Sequence, residues 1–285
     1  MSFSGIETSR QRGAPVTLYL FVYGGAEGDS PPPQAFAYTD AEQDITHEGF
    51  TYVPKPITRD NVNSSGTLDK STLQIRMPRD IELAEEFRVY PPAQVMSLII
   101  RQGHLSDPDS PREFLVCWSG RVLSVGREGD ECVIAGEPVS SSLRRPGLRR
   151  NYQLGCPHVL YGAQCQASEA AATVTATVAS LSGTSITLNA GWEGAFDAAK
   201  FTEGLVKWTN DTGGIEIRKI LSVSGDTLSL GGLLRDLNAS DTVSVILGCN
   251  HQMGDCRDLH DNIHNFGGCP WIPTKNPIGF RNNYY

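Results

Sequence analysis

The sequence predicts a β-rich protein, all-β with a small α component, in which the second of two β units interrupts a pair of cysteine loops. Three observations carry this. Short apolar runs rich in Val, Ile, Thr and aromatic residues outnumber any helical periodicity. Gly and Pro are abundant, at 29 and 17 of 285 residues, and punctuate those runs as turns. A single stretch, following Pro78-Arg79-Asp80, carries a good helix signature.

A chain of this length can hold more than one domain, each with its own core. The formal net charge of −8 argues against nucleic acid as the main partner. Met1-Ser2-Phe3-Ser4-Gly5 has neither a basic start nor an apolar run, so no signal peptide is expected. The most apolar short run, Val16–Tyr23, is too short to cross a bilayer, and no stable membrane insertion is expected. The chain therefore reads as a soluble cytosolic protein, where clustered thiols point to metal ligation ahead of disulfides.

Taken in order, residues 1–140 read as an N-terminal β domain. Val16–Tyr23 and Gln34–Thr39 are strands, and Glu48–Pro54 reads as a hairpin leading to an edge or crossover strand, because Pro54 and Pro56 suit no central strand. Thr72–Met77 alternates cleanly. Asp80 is the expected N-cap of a helix whose Ile81, Leu83, Ala84 and Phe87 face inward. Ala93–Arg101, Arg112–Ser119, Arg121–Arg127 and Glu131–Glu137 complete the strands, with Ser119-Gly120 as a hairpin turn. Cys117 and Cys132 sit in apolar strand patterns and read as small buried hydrophobes.

Residues 141–153 form an Arg-rich arm or linker: Arg144, Arg145, Arg149 and Arg150 broken by Pro146-Gly147 suit neither a helix nor a strand core. Their planar guanidinium forks fit a solvated linker or an arm clamped on a neighbour. Residues 172–247 read as a small inserted β barrel or sandwich of six strands. These are Ala172–Val178, Ser185–Leu188, Gly204–Trp208, Ile215–Ile220, Asp226–Leu230 and Asp241–Leu247, with Gly turns between several of them. No charged cleft or ligand motif shows in this insert.

The insert separates two cysteine pairs, Cys156 with Cys165 (C-x8-C) and Cys249 with Cys256 (C-x6-C), carried by residues 154–171 and 248–285. An antiparallel barrel can return its ends to nearby positions, which would bring the pairs together. Four thiols in two loops make a tetrahedral ligand set, and a coordinated metal would replace the core these loop-rich segments lack. The chemistry leaves the metal open. Cys249 and Cys256 with His260 and His264 could form a Cys2His2 zinc site, though that leaves Cys156 and Cys165 unexplained. Four thiolates from wide loops fit a cubane iron–sulfur cluster equally well. His158, His251, His260 and His264 read as hydrogen-bonded scaffold, and Cys269, between Phe266 and Trp271, as buried core. A Cys156/His158 hydrolase dyad finds no strand-to-helix nucleophile junction, and there is no phosphate loop or paired-carboxylate motif, so catalysis is not expected.

Leu154–Cys165, together with Gly248-Cys249, Cys256-Arg257, Asn262 and Asn265–Pro273, resembles the phage tail-tip (baseplate hub) family. That family includes the tail tip protein L of lambda-like siphophages and the hub protein of gene transfer agents. Asp44–His47, Tyr52–Pro54 and Trp118–Val122 extend the resemblance over nearly the whole chain. It implies a structural virion protein at the distal end of a long non-contractile tail, assembled in the host cytoplasm. Such subunits form a ring, expected to be trimeric, with the distal tail protein, the central fibre protein and other tail-tip proteins as neighbours. It also implies a [4Fe-4S] cluster, with Cys156, Cys165, Cys249 and Cys256 inheriting the ligand role. A zinc-stabilised adaptor and a Cys/His cell-wall hydrolase are the competing readings. The barrel-sized insert is longer than in the lambda-like member, and Cys269 stands where the family more usually has an aromatic residue.

Overall fold

The computed structural model describes residues 3–8, 13–23, 34–62, 72–88, 91–108, 112–144, 147, 151–211 and 213–273. The triple-proline loop, most of the polar loop after Val62, Arg145, Arg149 and Arg150 of the arm, and the aromatic tail from Thr274 lie outside them. The chain divides into two units, residues 1–145 with 211–215, and residues 146–210 with 216–285.

In the first unit a short helix α1 (Phe3–Glu7) precedes nine strands. They are β1 (Pro15–Tyr23), β2 (Gln34–Thr39), β3 (Ile45–His47), β4 (Phe50–Pro54), β5 (Thr58–Arg59), β6 (Leu73–Pro78), β7 (Ser97–His104), β8 (Leu115–Glu128) and β9 (Glu131–Pro138). The sheet order is β3-β4-β2-β1-β7-β8-β9-β6-β5, and β2 pairs with β4 in parallel. β1 lies inside the sheet, and the period-two geometry of a strand sends its side chains to opposite faces. Tyr19, Phe21 and Tyr23 join a buried cluster with Ile75, Met77, Leu98 and Ile134, whereas Val16, Leu18 and Leu20 join another with Ile45, Tyr52 and Phe114. Burial on both faces is why this strand reads as a continuous apolar run. β6 buries Leu73, Ile75 and Met77 and exposes Gln74 and Arg76, the alternation its sequence predicts.

Four expectations are corrected here. The predicted helix is a single turn, α2 (Glu82–Glu85), which starts after extended Ile81 with no side-chain cap, so Asp80 does not cap it. Ile81, Leu83 and Ala84 are buried and Phe87 packs on the same cluster, so docking of the apolar face holds the turn. Ser119-Gly120 is no hairpin: β8 runs straight through it, and the reversal comes at Gly129-Asp130, where Gly129 has φ +62°. Gly120 is needed for another reason. A Cβ there would stand 2.5 Å from the Trp118 ring and 2.1 Å from the Glu137 carbonyl oxygen, and one on Gly136 would stand 2.9 Å from the same ring. Finally, Cys132 is buried but Cys117 is exposed, because β8 buries only Trp118 and Val122. The strand predicted from Ala93 begins at Ser97.

The second unit contains β10 (Thr173–Ser182), β11 (Ser185–Leu188), β12 (Leu205–Thr209), β13 (Ile215–Ser224), β14 (Thr227–Leu230) and β15 (Thr242–Ile246). They close into a barrel in the order β10-β11-β14-β13-β12-β15, and all six overlap the predicted strands. Its core includes Val178, Ile186, Leu188, Phe201, Val206, Trp208, Ile220, Leu228, Val243 and Val245. The barrel also buries charge that the sequence reading missed. Glu216 is fully buried and pairs with Arg218 at 2.9 Å and Arg235 at 3.5 Å, while the Arg218 guanidinium lies 5.6 Å from the Trp208 ring centroid.

Candidate metal centre

The cysteine loops are the segments entering and leaving the barrel. β10 and β15 are hydrogen-bonded neighbours with Thr173 opposite Ile246, so the chain enters and leaves side by side. Leu247 N donates to Ala172 O (3.0 Å) and Tyr161 Oη to Leu247 O (2.8 Å). Gly248 then passes so close to the barrel that a Cβ would stand 1.9 Å from Thr202 O, a path that requires glycine. Lys200 fastens the second loop twice: its carbonyl accepts from Gly248 N (2.9 Å), and its Nζ meets Asp255 Oδ1 (3.0 Å) on helix α3 (Met253–Asp258).

The two loops are stitched directly to each other. Cys156 N donates to His251 O (2.8 Å) and His251 Nδ1 returns a bond to Cys156 O (3.0 Å). Asn262 Nδ2 donates to Cys165 O (2.5 Å), His158 Nδ1 to Asn265 O (3.1 Å), and Cys269 N to Gln153 O (2.9 Å). His251 and Tyr161 sit at φ +59° and +58°, left-handed backbone that a β-carbon disfavours and that packing must hold in place.

This stitching brings Cys156, Cys165, Cys249 and Cys256 onto the wall of one small cavity, with His158, Leu160, His251, Gln252, His260, Asn262 and Asn265 beside them. Three of the four sulfurs accept N–H donors. Cys249 Sγ takes one from His251 N (3.4 Å), Cys156 Sγ from Gly267 N (3.4 Å), and Cys165 Sγ from Asn262 Nδ2 (3.6 Å). The fourth, Cys256, donates its thiol proton to Asn262 O (3.2 Å). Burial pushes the Cys256 thiol up to about 11, and the neighbouring Cys249, Cys156 and Cys165 push it the same way. Burial likewise raises Cys249, partly offset by the His251 N–H. A group of positive charge among these sulfurs would reverse that balance, so the donor set fits a metal-bearing group.

Residues 151–171 and 249–273 bury only Cys165, Cys256, Asn262 and Gly267. No large apolar side chain is buried there, as the sequence predicts. His158, His251 and His260 each bond a backbone carbonyl through one ring nitrogen, the last to Gly248 O at 2.9 Å. His264 does not line the cavity. Cys269 is half-buried and also stands off it, and Trp271, 86% exposed, forms no packing environment for it, so the buried-core reading of Cys269 is corrected. Asn262 was legible only as part of a family motif, not as the residue that ties both loops. Among the described residues no three His, Cys, Asp or Glu side chains converge closely enough to hold a single ion.

Comparison with known proteins agrees with this architecture. Residues 33–168 match the family described as baseplate hub protein, N-terminal attachment domain, and residues 199–276 match the phage conserved hypothetical protein BR0599 family. An uncharacterised protein of Xylella fastidiosa is 26% identical over 195 residues, which cover 64% of this chain and 38% of that protein. The matched part is thus well under half the length of that relative. A chain from the virion of a native gene transfer agent particle superposes with a TM-score of 0.74 at 18% identity, covering 99% of this chain and 97% of that one, and so shares the fold. Both matched families are phage families, and the first is a structural part of the baseplate. Residues 33–168 thus match the attachment domain of baseplate hub proteins, and this match indicates a virion component.

Proposed function

We propose that the protein is a ring subunit, trimeric in its assembly, at the distal tip of a long non-contractile tail. There it joins the tail tube to the central fibre and receptor-binding parts, with the distal tail protein and other tail-tip proteins as partners. The hub-family match over residues 33–168 supports this role. We further propose that Cys156, Cys165, Cys249 and Cys256 hold a [4Fe-4S] cluster that staples the second unit and carries out no turnover.

The observation that carries the cluster reading is the convergence of four thiols from sequence-distant loops on one cavity. A lone zinc would need its donors at about 2.0–2.3 Å from one point. Sulfurs bound to separate irons of a cubane stand further apart, and four thiols match its ligand number. When bound, the cluster supplies covalent cross-links between the loops. The chain itself supplies the N–H groups that spread the sulfur charge and the glycine-lined path that lets the loops meet.

Purification without oxygen should yield a brown protein containing about four iron and four acid-labile sulfide per chain. Colourless protein with stoichiometric zinc and no sulfide would instead favour the adaptor reading. Cys249→Ser should block tail assembly, as judged by electron microscopy of lysates; intact infectious particles would sink the staple. Loss of peptidoglycan clearing on replacing Cys156 or His158, with normal assembly, would point to a hydrolase.

A further inference from the structure

The sulfur donors at the cavity are not equivalent. Two are main-chain N–H groups, of His251 and Gly267, and the third is the carboxamide of Asn262. Asn262 is 8% exposed and occupied on every side. Its Nδ2 faces both the carbonyl and the sulfur of Cys165, and because a carbonyl only accepts, the amide is turned with its nitrogen toward that cysteine. Asn265 Nδ2 donates to Asn262 Oδ1 (2.7 Å) and holds that orientation. The Asn262 main chain is committed to the other cysteine pair, with N donating to Cys256 O (2.8 Å) and O accepting from Cys256 Sγ. One residue therefore touches a ligand candidate from each loop, by side chain in one direction and by backbone in the other.

We propose that Asn262 is the positioning residue of the thiol site, locking the Cys165 loop to the Cys256 loop and tuning the site by donating an N–H to the Cys165 sulfur. The inference rests on the cluster reading above. Hydrogen bonds to ligating sulfur draw off negative charge and favour the reduced, more negative state of the group, and they act strongly where water is excluded. Asparagine suits the place because aspartate would set a carboxylate against four thiolates.

The test compares full-length wild type, Asn262→Asp and Asn265→Ala, all purified without oxygen. Asn262→Asp keeps the side-chain shape and removes the donor. It should lower the midpoint potential of the retained cluster and speed iron loss to a chelator about tenfold, the scale of outer-shell losses at metal sites. Asn265→Ala leaves Asn262 in place but frees its carboxamide, and should shift potential and iron loss the same way by less. If Asn262→Asp fails to fold, the Asn265→Ala potential decides alone, a lowered value supporting the inference and an unchanged one overturning it. Folded variants that lose iron faster at an unchanged potential would reduce Asn262 to a structural tie and overturn the tuning role. Wild-type potential and iron loss in Asn262→Asp would overturn the inference while leaving the cluster intact. Wild type lacking iron and sulfide would overturn the cluster reading itself, and this inference with it.

Discussion

Gly267 shows how tightly single residues are fitted around the thiol cavity. A Cβ there would stand 2.5 Å from the His158 ring, whose Nδ1 bonds Asn265 O, while the Gly267 N–H itself serves the Cys156 sulfur. Gly267→Ala should therefore expel the ring and misplace the donor together, at a cost of about 1–3 kcal/mol for overpacking. Thermal unfolding and iron content of the purified variant would register both losses. The four cysteines were legible in the sequence because thiols paired at short spacing carry their chemistry with them. Asn262 and Gly267 carry no such mark, and their roles arise only when residues around 156–165 meet residues around 256–267 across the barrel.

Among the elements, the barrel strands were the most legible, since each is a short β-branched run bounded by glycine turns, as at Gly183 and Gly225 with φ +61° and +57°. β8 was the least. A Ser-Gly pair between two apolar runs satisfies hairpin chemistry locally, and only the Trp118 ring lying over Gly120 and Gly136 explains why the strand continues. β13 hid its polar content differently: Glu216 and Arg218 fall in phase with Ile220 on its buried face, where alternation predicts apolar residues. Glu216→Ala would leave buried Arg218 and half-buried Arg235 without that carboxylate, a change expected to cost about 3–5 kcal/mol. Urea unfolding of the variant against wild type measures it; an unchanged midpoint would mean that the network is dispensable.

At the scale of the whole molecule, the stabilising apolar material is unevenly shared. The N-terminal sheet has a core on each face and the barrel has its own, whereas the cysteine segments bury thiols, a glycine and an amide. Chelation of the proposed cluster should accordingly raise hydrogen exchange in residues 151–171 and 249–273 and leave the barrel and the first sheet protected. Uniform loss of protection would show that the cysteine loops support the rest. The pairing of β10 with β15 has a further kinetic meaning. Measured along the chain, Cys165 and Cys249 are remote, but once the barrel has closed they are ends of a loop roughly eightfold shorter, a saving of about 2 kcal/mol in closure entropy. Barrel closure thus works as a splint, lowering the entropic cost of bringing the two thiol pairs together around the proposed cluster.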